Sequence, residues 1–253
     1  MAPRRAFPAI RPAAPRLRSF AHRLGRDALT TVHVAEYPLA EYAPRVVALD
    51  PPQALAAWCA QAGEGEALVG GFFMRPAGTP LGELWIGGAR RPSQPFSVPG
   101  RSCFAVDSAN VRIGRRVDLP EEPRGDLLQA GPLLRSAGVP LMEDDPEGFS
   151  SGAAQFDSDI TVGRYPRAAL GVSRDWILAV ACDGRAQHDA GMTLRELAEL
   201  MAALGADRAI NLDGGGSTSL VHDGMLRNVP REEHGIELVA GRPVANALVF
   251  EPA

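Results

Sequence analysis

The most constrained stretch of this 253-residue sequence is Ala209-Ile210-Asn211-Leu212-Asp213-Gly214-Gly215-Gly216-Ser217-Thr218-Ser219-Leu220-Val221. A short apolar run ends in an Asn-x-Asp pair, passes through three glycines and three hydroxyl residues, and becomes apolar again. Consecutive glycines lose much conformational entropy on folding, so they are expected where the backbone adopts positive φ or closely approaches another group. The stretch therefore predicts a strand that ends in a tight turn.

Two interpretations of this turn are open from the stretch alone. Successive free backbone N–H groups can form an anion-binding nest that suits a phosphate. The nest would use Gly214, Gly215, Gly216 and Ser217, with further hydroxyl donors on Thr218 and Ser219. Alternatively, the stretch is a strand-to-strand turn in which Asp213 accepts hydrogen bonds from the turn amides, as Asp commonly does.

The charge distribution excludes several classes of protein. The chain has 26 basic and 30 acidic residues, and residues 1–26 hold seven arginines and no acid. The rest of the chain is therefore clearly acidic, which is not typical of a nucleic-acid-binding protein. Every basic residue is arginine, so Schiff-base chemistry and the lysine of a phosphate-binding P-loop are both excluded.

The beginning of the chain is rich in Pro, Ala and Arg. We expect residues 1–26 to be a flexible leader and residues 27–253 to form one domain. The leader has no apolar segment of the kind found in a cleavable signal, and no apolar run approaches the ~18 residues of a membrane span. Three cysteines without C-x-x-C spacing favour reduced, buried thiols. These features predict a cytoplasmic protein, and they leave its oligomeric state open.

The second half of the sequence shows the clearest secondary-structure signals. Residues 167–173 and 176–183 are strand-like runs separated by two residues, which predicts an antiparallel hairpin. The Thr193-Leu194-Arg195-Glu196 capping box predicts the start of a helix, and residues 244–250 read as a terminal strand. The expected fold is α/β (α+β), with a mixed, largely antiparallel sheet flanked by helices. Residues 143–159 are expected to form a long loop.

Residue parity along these strands indicates which side chains share a face. Each of three strands has a bulky and a small face, and the small faces carry Arg167, Asp183, Asn211 and Asp213. If the strands share a sheet, these groups would line one polar floor. Arginine binds phosphate bidentately, and paired carboxylates can divide acid and base roles. Two alternatives remain: close packing of a helix on the small faces, and a structural Arg167–Asp183 ion pair.

The run Asn211-Leu212-Asp213-Gly214-Gly215-Gly216-Ser217 resembles the signature of the phosphodiester glycosidase family. That family includes an enzyme that removes N-acetylglucosamine from phosphodiester-capped mannose, and many bacterial proteins labelled as exopolysaccharide-related. Supporting elements occur in the family's order: Gly70-Gly71-Phe72-Phe73, Gly131-Pro132, Arg167-Ala168-Ala169-Leu170-Gly171, Asp183-Gly184-Arg185 and Arg242-Pro243-Val244-Ala245-Asn246.

The resemblance implies hydrolysis of a glycosidic bond to phosphate, as in a sugar-1-phosphodiester. It implies that Asp213 is the general acid/base or nucleophile, with Asp183 as its partner. Arg167 and the Gly214–Ser217 turn would hold the phosphate, while Asn211 and Asn246 would bind sugar hydroxyls or orient the acids. The remaining site residues implied by the resemblance are Gly70, Gly71, Thr218 and Arg185.

One departure from the family pattern supports a rival interpretation. Val69 stands where the family usually has Asn before the glycine pair. A non-catalytic protein that binds phosphosugars or polysaccharides is therefore one alternative. A metal-assisted phosphodiesterase that cleaves the P–O bond is another. No organic cofactor is implied, and no ligand spacing in the sequence supports a divalent metal.

Overall fold

The computed structural model of the chain describes residues 14–25, 28–97, 100–108, 110–140 and 163–253. The α-helices are α1 (Leu55–Ala62) and α2 (Leu194–Ala203). The strands of the first half are β1 (Arg16–Arg23), β2 (Leu29–Pro38), β3 (Tyr42–Ala54), β4 (Ala67–Val69), β5 (Phe73–Met74), β6 (Thr79–Pro80), β7 (Leu84–Ile86), β8 (Ala89–Arg90), β9 (Ser102–Asp107) and β10 (Asn110–Arg115). Those of the second half are β11 (Asp126–Gln129), β12 (Leu133–Ser136), β13 (Val139–Pro140), β14 (Arg167–Val172), β15 (Trp176–Cys182), β16 (Arg208–Asn211), β17 (Leu220–His222), β18 (Met225–Leu226) and β19 (Pro243–Pro252).

Seven strands form the sheet that we call sheet I, in the order β1-β2-β15-β14-β16-β12-β13. The predicted hairpin is confirmed as β14 and β15, which pair with Arg167 opposite Cys182. Strand β16 lies on the other side of β14, with Asn211 opposite Ala169. Because both pairings are antiparallel, the first residues of β14 lie beside the last residues of β15 and β16, at the same end of these strands.

Two five-stranded sheets complete the fold. Sheet II has the order β18-β17-β4-β19-β3, and sheet III has the order β10-β9-β11-β7-β8. The chain passes from sheet III to sheet I between β11 and β12, through Gly131 and Pro132. The His222-Asp223-Gly224 turn joins β17 and β18, and the predicted terminal strand is confirmed as β19.

The predicted α/β class is only partly confirmed, because the domain consists mostly of antiparallel β-sheet. Every pairing between the named strands is antiparallel. Helix α2 packs on the small face of sheet I, where a β-carbon on Gly171 would lie only 2.4 Å from Met201 Cε. The small faces thus serve helix packing, as one of the alternatives predicted. Helix α1 contacts sheet II instead.

The predicted boundary of the leader is wrong for part of its length. Residues Arg16–Arg23 form β1, which pairs along its whole length with β2. Arg18 Nη2 donates to Glu36 Oε1 at 2.5 Å across this pair. The folded domain therefore includes residues that the proline- and arginine-rich composition assigned to a flexible segment. Residues 1–13 of the expected leader lie outside the described residues.

Helix α2 begins at the predicted capping box. Thr193 Oγ1 accepts a hydrogen bond from Glu196 N at 3.1 Å, and Thr193 N donates to Glu196 Oε2 at 2.9 Å. The three cysteines are free and buried, as expected. Neither helix in the described ranges has the length and apolar character needed to cross a membrane.

Candidate functional site

The three sheets meet at the end of β16, next to Asp213. Asn211 is the last residue of β16, and it exchanges backbone hydrogen bonds with the segment that leaves sheet III: Gly131 N donates to Asn211 O at 3.1 Å, and Asn211 N donates to Pro132 O at 3.0 Å. Asp213 N donates to Gly70 O at 3.0 Å, just after β4 of sheet II. The Asn-x-Asp pair therefore lies at the junction of all three sheets.

The glycine turn after Asp213 is internally bonded. Four of its N–H groups donate within the protein: those of Gly214, Gly215, Ser217 and Thr218. Gly214 N donates to Asp213 Oδ1 at 2.9 Å, which is the turn predicted as the alternative to the nest. Gly215 N donates to Pro166 O at 2.9 Å. The predicted nest of free backbone N–H groups is therefore wrong for Gly214, Gly215 and Ser217, because the turn uses these groups to fix its own shape.

Five buried side-chain atoms on residues 211–219 and on Asn246 have no hydrogen-bond partner within the described residues. They are Asn211 Oδ1, Ser217 Oγ, Thr218 Oγ1, Ser219 Oγ and Asn246 Nδ2. All five side chains belong to residues that are at most 1% exposed. A buried polar atom without a partner costs about 1–3 kcal/mol, so native proteins rarely leave one unsatisfied without a reason. A cluster of five suggests that polar atoms of a ligand complete these bonds.

The glycine pair before β5 closely approaches Asn246 of β19. Gly71 N donates to Asn246 Oδ1 at 2.6 Å, and Gly70 N donates to Asn246 O at 3.1 Å. A β-carbon on Gly71 would also lie 3.1 Å from Gln129 O. The predicted close approach is confirmed, but the neighbouring groups are protein atoms. This contact fixes the orientation of the Asn246 amide, because its Oδ1 is hydrogen-bonded within the protein. Val69, which precedes the pair, is fully buried.

Two arginines meet on one aromatic ring. The Arg167 guanidinium carbon lies 5.7 Å from the ring centre of Tyr165, and that of Arg185 lies 5.5 Å from it. Arg167 is 1% exposed, and its Nε donates to Met192 O at 2.9 Å. Arg185 is partly exposed, and its Nη1 donates to Arg231 O at 3.1 Å. The structure thus brings together two residues that the sequence linked only through separate motifs.

Asp183 does not share the face that carries Arg167, so the predicted common floor is wrong at this residue. Arg167 lies opposite Cys182 in the hairpin, and the next residue along β15 points to the other side of sheet I. There the Asp183 carboxylate faces His33, with Nε2 and Oδ2 3.2 Å apart. Its Oδ1 accepts a hydrogen bond from Val229 N at 2.7 Å. Asn211, opposite Ala169, does share the Arg167 face.

His33 was not among the site residues predicted from the sequence. This histidine lies on β2, is 7% exposed, and also contacts Ser19 Oγ through Nδ1 at 2.9 Å. Its only signal in the sequence is a polar residue between Val32 and Val34. The connection to Asp183 depends on the pairing of β2 with β15, which residue parity alone does not provide.

An ion pair beside the glycine turn was also not predicted from the sequence. Arg242 Nε donates to Glu232 Oε1 at 2.7 Å, and a second bond joins Arg242 Nη2 to Glu232 Oε2. Arg242 N donates to Gly216 O at 3.2 Å. Hydrogen bonds from Arg242 lower the pKa of the Glu232 carboxyl, against the opposing effect of burial, and the charges of Arg75 and Arg185 lower it further.

The described ranges contain no cluster of three or more His, Cys, Asp or Glu side chains placed to hold a metal ion. The predicted long loop over residues 143–159 lies outside the described residues.

Comparisons with known proteins confirm the family resemblance. The family model for phosphodiester glycosidase matches residues 64–251. No curated protein sequence matches significantly. Among solved structures, the chain resembles the zebrafish N-acetylglucosamine-1-phosphodiester alpha-N-acetylglucosaminidase catalytic domain auto-inhibited by its pro-peptide, with TM-score 0.71 and 18% identity over 94% of this chain and 83% of that one.

Two further structures share the fold. A hypothetical protein from Synechocystis matches with TM-score 0.66 and 18% identity over 93% of this chain, which spans 62% of that protein's length. A putative exported protein from Burkholderia pseudomallei matches with TM-score 0.68 and 16% identity, over 89% of this chain and 75% of that one. Because the family model covers most of the sequence, the chain belongs to the phosphodiester glycosidase family.

Proposed function

We propose that this chain hydrolyses the glycosidic bond of a sugar-1-phosphodiester, releasing a free sugar and a phosphomonoester. The observation that carries the proposal is the set of five unpartnered buried polar atoms on residues 211–219 and on Asn246. A sugar presents several hydroxyl groups, each able to donate and accept hydrogen bonds. The cluster offers hydroxyl groups, one amide donor and one amide acceptor, so a sugar can satisfy it without introducing charge.

In this proposal Asp213 is the reacting carboxylate. It is 6% exposed, and Gly214 N donates to its Oδ1, so the side chain is held in one orientation. Such a group can protonate the leaving oxygen, activate water or attack the anomeric carbon. Asn211 Oδ1 and Asn246 Nδ2 then bind sugar hydroxyls, together with Ser217, Thr218 and Ser219.

The phosphate is assigned to the arginine pair on Tyr165. Arg167 and Arg185 share this ring, and the guanidinium group suits a phosphate because its planar fork donates two parallel hydrogen bonds. Gly214 connects this region to the turn, since a β-carbon there would lie 2.8 Å from Pro166 O, one residue before Arg167. The arginine pair is thereby connected to the turn that follows Asp213.

We assign Asp183 a positioning role in the site. It does not take part directly in the reaction. Strand β14 lies between β15 and β16, so the strands that precede Asp183 and Asp213 are two strand spacings apart, about 10 Å. The Asp183 side chain lies on the opposite face of sheet I from Arg167, whereas Asn211 at the end of β16 shares the Arg167 face. The role of Asp183 as direct partner of Asp213 loses its geometric support for this reason.

A non-catalytic phosphosugar-binding protein is the second candidate. It is favoured by Val69, which replaces the family's usual Asn beside the glycine pair and is fully buried. Such a protein would keep the cluster of hydrogen-bonding groups but would lack turnover. Calorimetry with a sugar-1-phosphodiester would show binding without release of product.

The decisive experiment uses a panel of sugar-1-(methyl phosphate) diesters in oxygen-18 water. We expect the label in the sugar, because the C–O bond breaks, whereas a metal-assisted phosphodiesterase would place it in the phosphate. Asp213→Asn should lower kcat by about 10²–10⁴-fold, the usual contribution of general acid–base catalysis. Asp223→Asn, in the exposed β17–β18 turn, is the matched control and should retain activity. Full activity of Asp213→Asn would refute the assignment.

A further inference from the structure

His33 links the surface of sheet I to a buried carboxylate. Its Nδ1 lies 2.9 Å from Ser19 Oγ on the exposed strand β1, and its Nε2 lies 3.2 Å from Asp183 Oδ2. A carboxylate only accepts hydrogen bonds, so Nε2 carries the proton in this contact. In the neutral ring Nδ1 is then an acceptor, and the Ser19 hydroxyl donates to it. The two bonds fix both the tautomer and the orientation of the ring.

The other oxygen of Asp183 is connected to the hydroxyl residues of the candidate site by a series of hydrogen bonds. Asp183 Oδ1 accepts from Val229 N at 2.7 Å. Asn228 is the residue before Val229. Its Oδ1 accepts a hydrogen bond from Leu220 N at 2.8 Å, and its Nδ2 donates to Thr218 O at 2.8 Å. Asn228 therefore holds the backbone on both sides of Ser219.

We propose that His33 is a positioning residue for this site, acting through Asp183 and Asn228 on Thr218 and Ser219. The inference rests on the proposed function, because the hydroxyl groups that it positions are those assigned to the sugar. Within the described residues, His33 and Val229 N are the two donors to the Asp183 carboxylate. Loss of one donor leaves a buried charged group with unmet bonding capacity, which then seeks water or another partner.

Glutamine and asparagine substitutions separate this role from simple packing. The amide nitrogen of glutamine reaches the position of histidine Nε2, so His33→Gln retains the donor to Asp183. Asparagine is shorter and reaches only the Nδ1 position, next to Ser19. We expect His33→Asn to raise KM about tenfold with kcat within about twofold, because the hydroxyl residues bind the sugar before reaction. His33→Gln should restore KM. Equal KM values for the two variants would overturn the proposal.

A second measurement tests the connection without any substrate. In the free protein, His33→Asn should accelerate amide hydrogen exchange at Val229 and Leu220 at least tenfold, whereas His33→Gln should not. Thr193→Ala is the matched control, because it destabilises the fold at α2 without touching these contacts. Selective acceleration supports the positioning role even if the wild-type chain hydrolyses no sugar phosphodiester. Unchanged exchange at both amides in His33→Asn would refute it.

Discussion

Gly70 and Asn246 are packed so closely that a β-carbon on Gly70 would lie 2.1 Å from Asn246 Oδ1 and 3.0 Å from Asn246 O. Real β-carbons essentially never approach another heavy atom to under 3.0 Å. The contact joins the end of β4 to β19 and holds the Asn246 amide, whose Oδ1 accepts from Gly71 N and whose Nδ2 is one of the unpartnered atoms of the candidate site.

Gly70→Ala is therefore expected to displace Asn246 from Gly71. Overpacking of this kind typically costs about 1–3 kcal/mol of unfolding free energy, measurable by urea denaturation. Sugar binding should weaken as well, since Asn246 Nδ2 is one of the five unpartnered atoms. The matched control is Gly114→Ala on β10, where the nearest atom to a new β-carbon is 3.8 Å away. Equal stability of the two variants would contradict the prediction.

Local signals in the sequence predicted the elements on either side of the site. The β14–β15 hairpin, the Thr193 capping box and the turn after Asp213 each depend on residues close together in the chain. Nearby residues determine these structures, so turn chemistry and side-chain periodicity are sufficient to recognise them.

The arrangement of these elements was less predictable. Parity correctly placed Asp183 with Ala181 on one face of β15, but the hairpin register pairs Ala181 with Ala168 and not with a residue of the Arg167 face. A shift of one residue in register moves a whole set of side chains to the other face. Asp183 also contacts His33, which is 150 residues away in the sequence. A single sequence contains no local signal for such a contact.

The Glu232–Arg242 pair predicts a pH-dependent contribution to stability. Hydrogen bonds from Arg242 lower the pKa of Glu232 in the folded state, so the contribution is present above the carboxyl's ordinary pKa and is lost as pH falls through the folded value. Glu232→Gln should reduce the free energy of unfolding by about 1–2 kcal/mol near neutral pH. Chemical denaturation from pH 7 to pH 3 should show the difference from wild type shrinking.

Glu233→Gln provides the control for this experiment. It removes the same charge from the next residue, whose side chain is exposed. Little change in stability is expected at any pH. A difference between Glu232→Gln and wild type that stays constant down to pH 3 would show that charge has no part in the contribution.

The capping box at α2 predicts a stability change away from the site. Thr193→Ala removes the acceptor of the Glu196 N–H bond and should cost about 1 kcal/mol. Thr193→Ser keeps that acceptor and should retain most of the stability. The measurement is the midpoint of thermal unfolding for both variants, and an equal loss in the two would show that the threonine methyl group, not the cap, stabilises the helix.

The buried thiols provide the last prediction. Burial raises the pKa of Cys182 to about 12, against the opposing influence of Arg167, and burial also raises that of Cys59 to about 12. Because the thiolate is the reactive form, neither should react with a thiol-specific disulfide reagent at pH 8 while the chain is folded. Val239→Cys, at a position 99% exposed, should react at once and verifies the reagent.

The raised pKa values of these two thiols also predict the direction in which the stability of the fold changes at alkaline pH. The unfolded chain loses these thiol protons above the ordinary value of 9.0, whereas the folded chain keeps them until about 12. Their contribution to stability is therefore complete below pH 9 and declines as pH rises through that window. Cys182→Ala should flatten the decline measured by urea denaturation between pH 8 and pH 11. An identical slope in wild type and variant would mean that the Cys182 thiol ionises equally in both states.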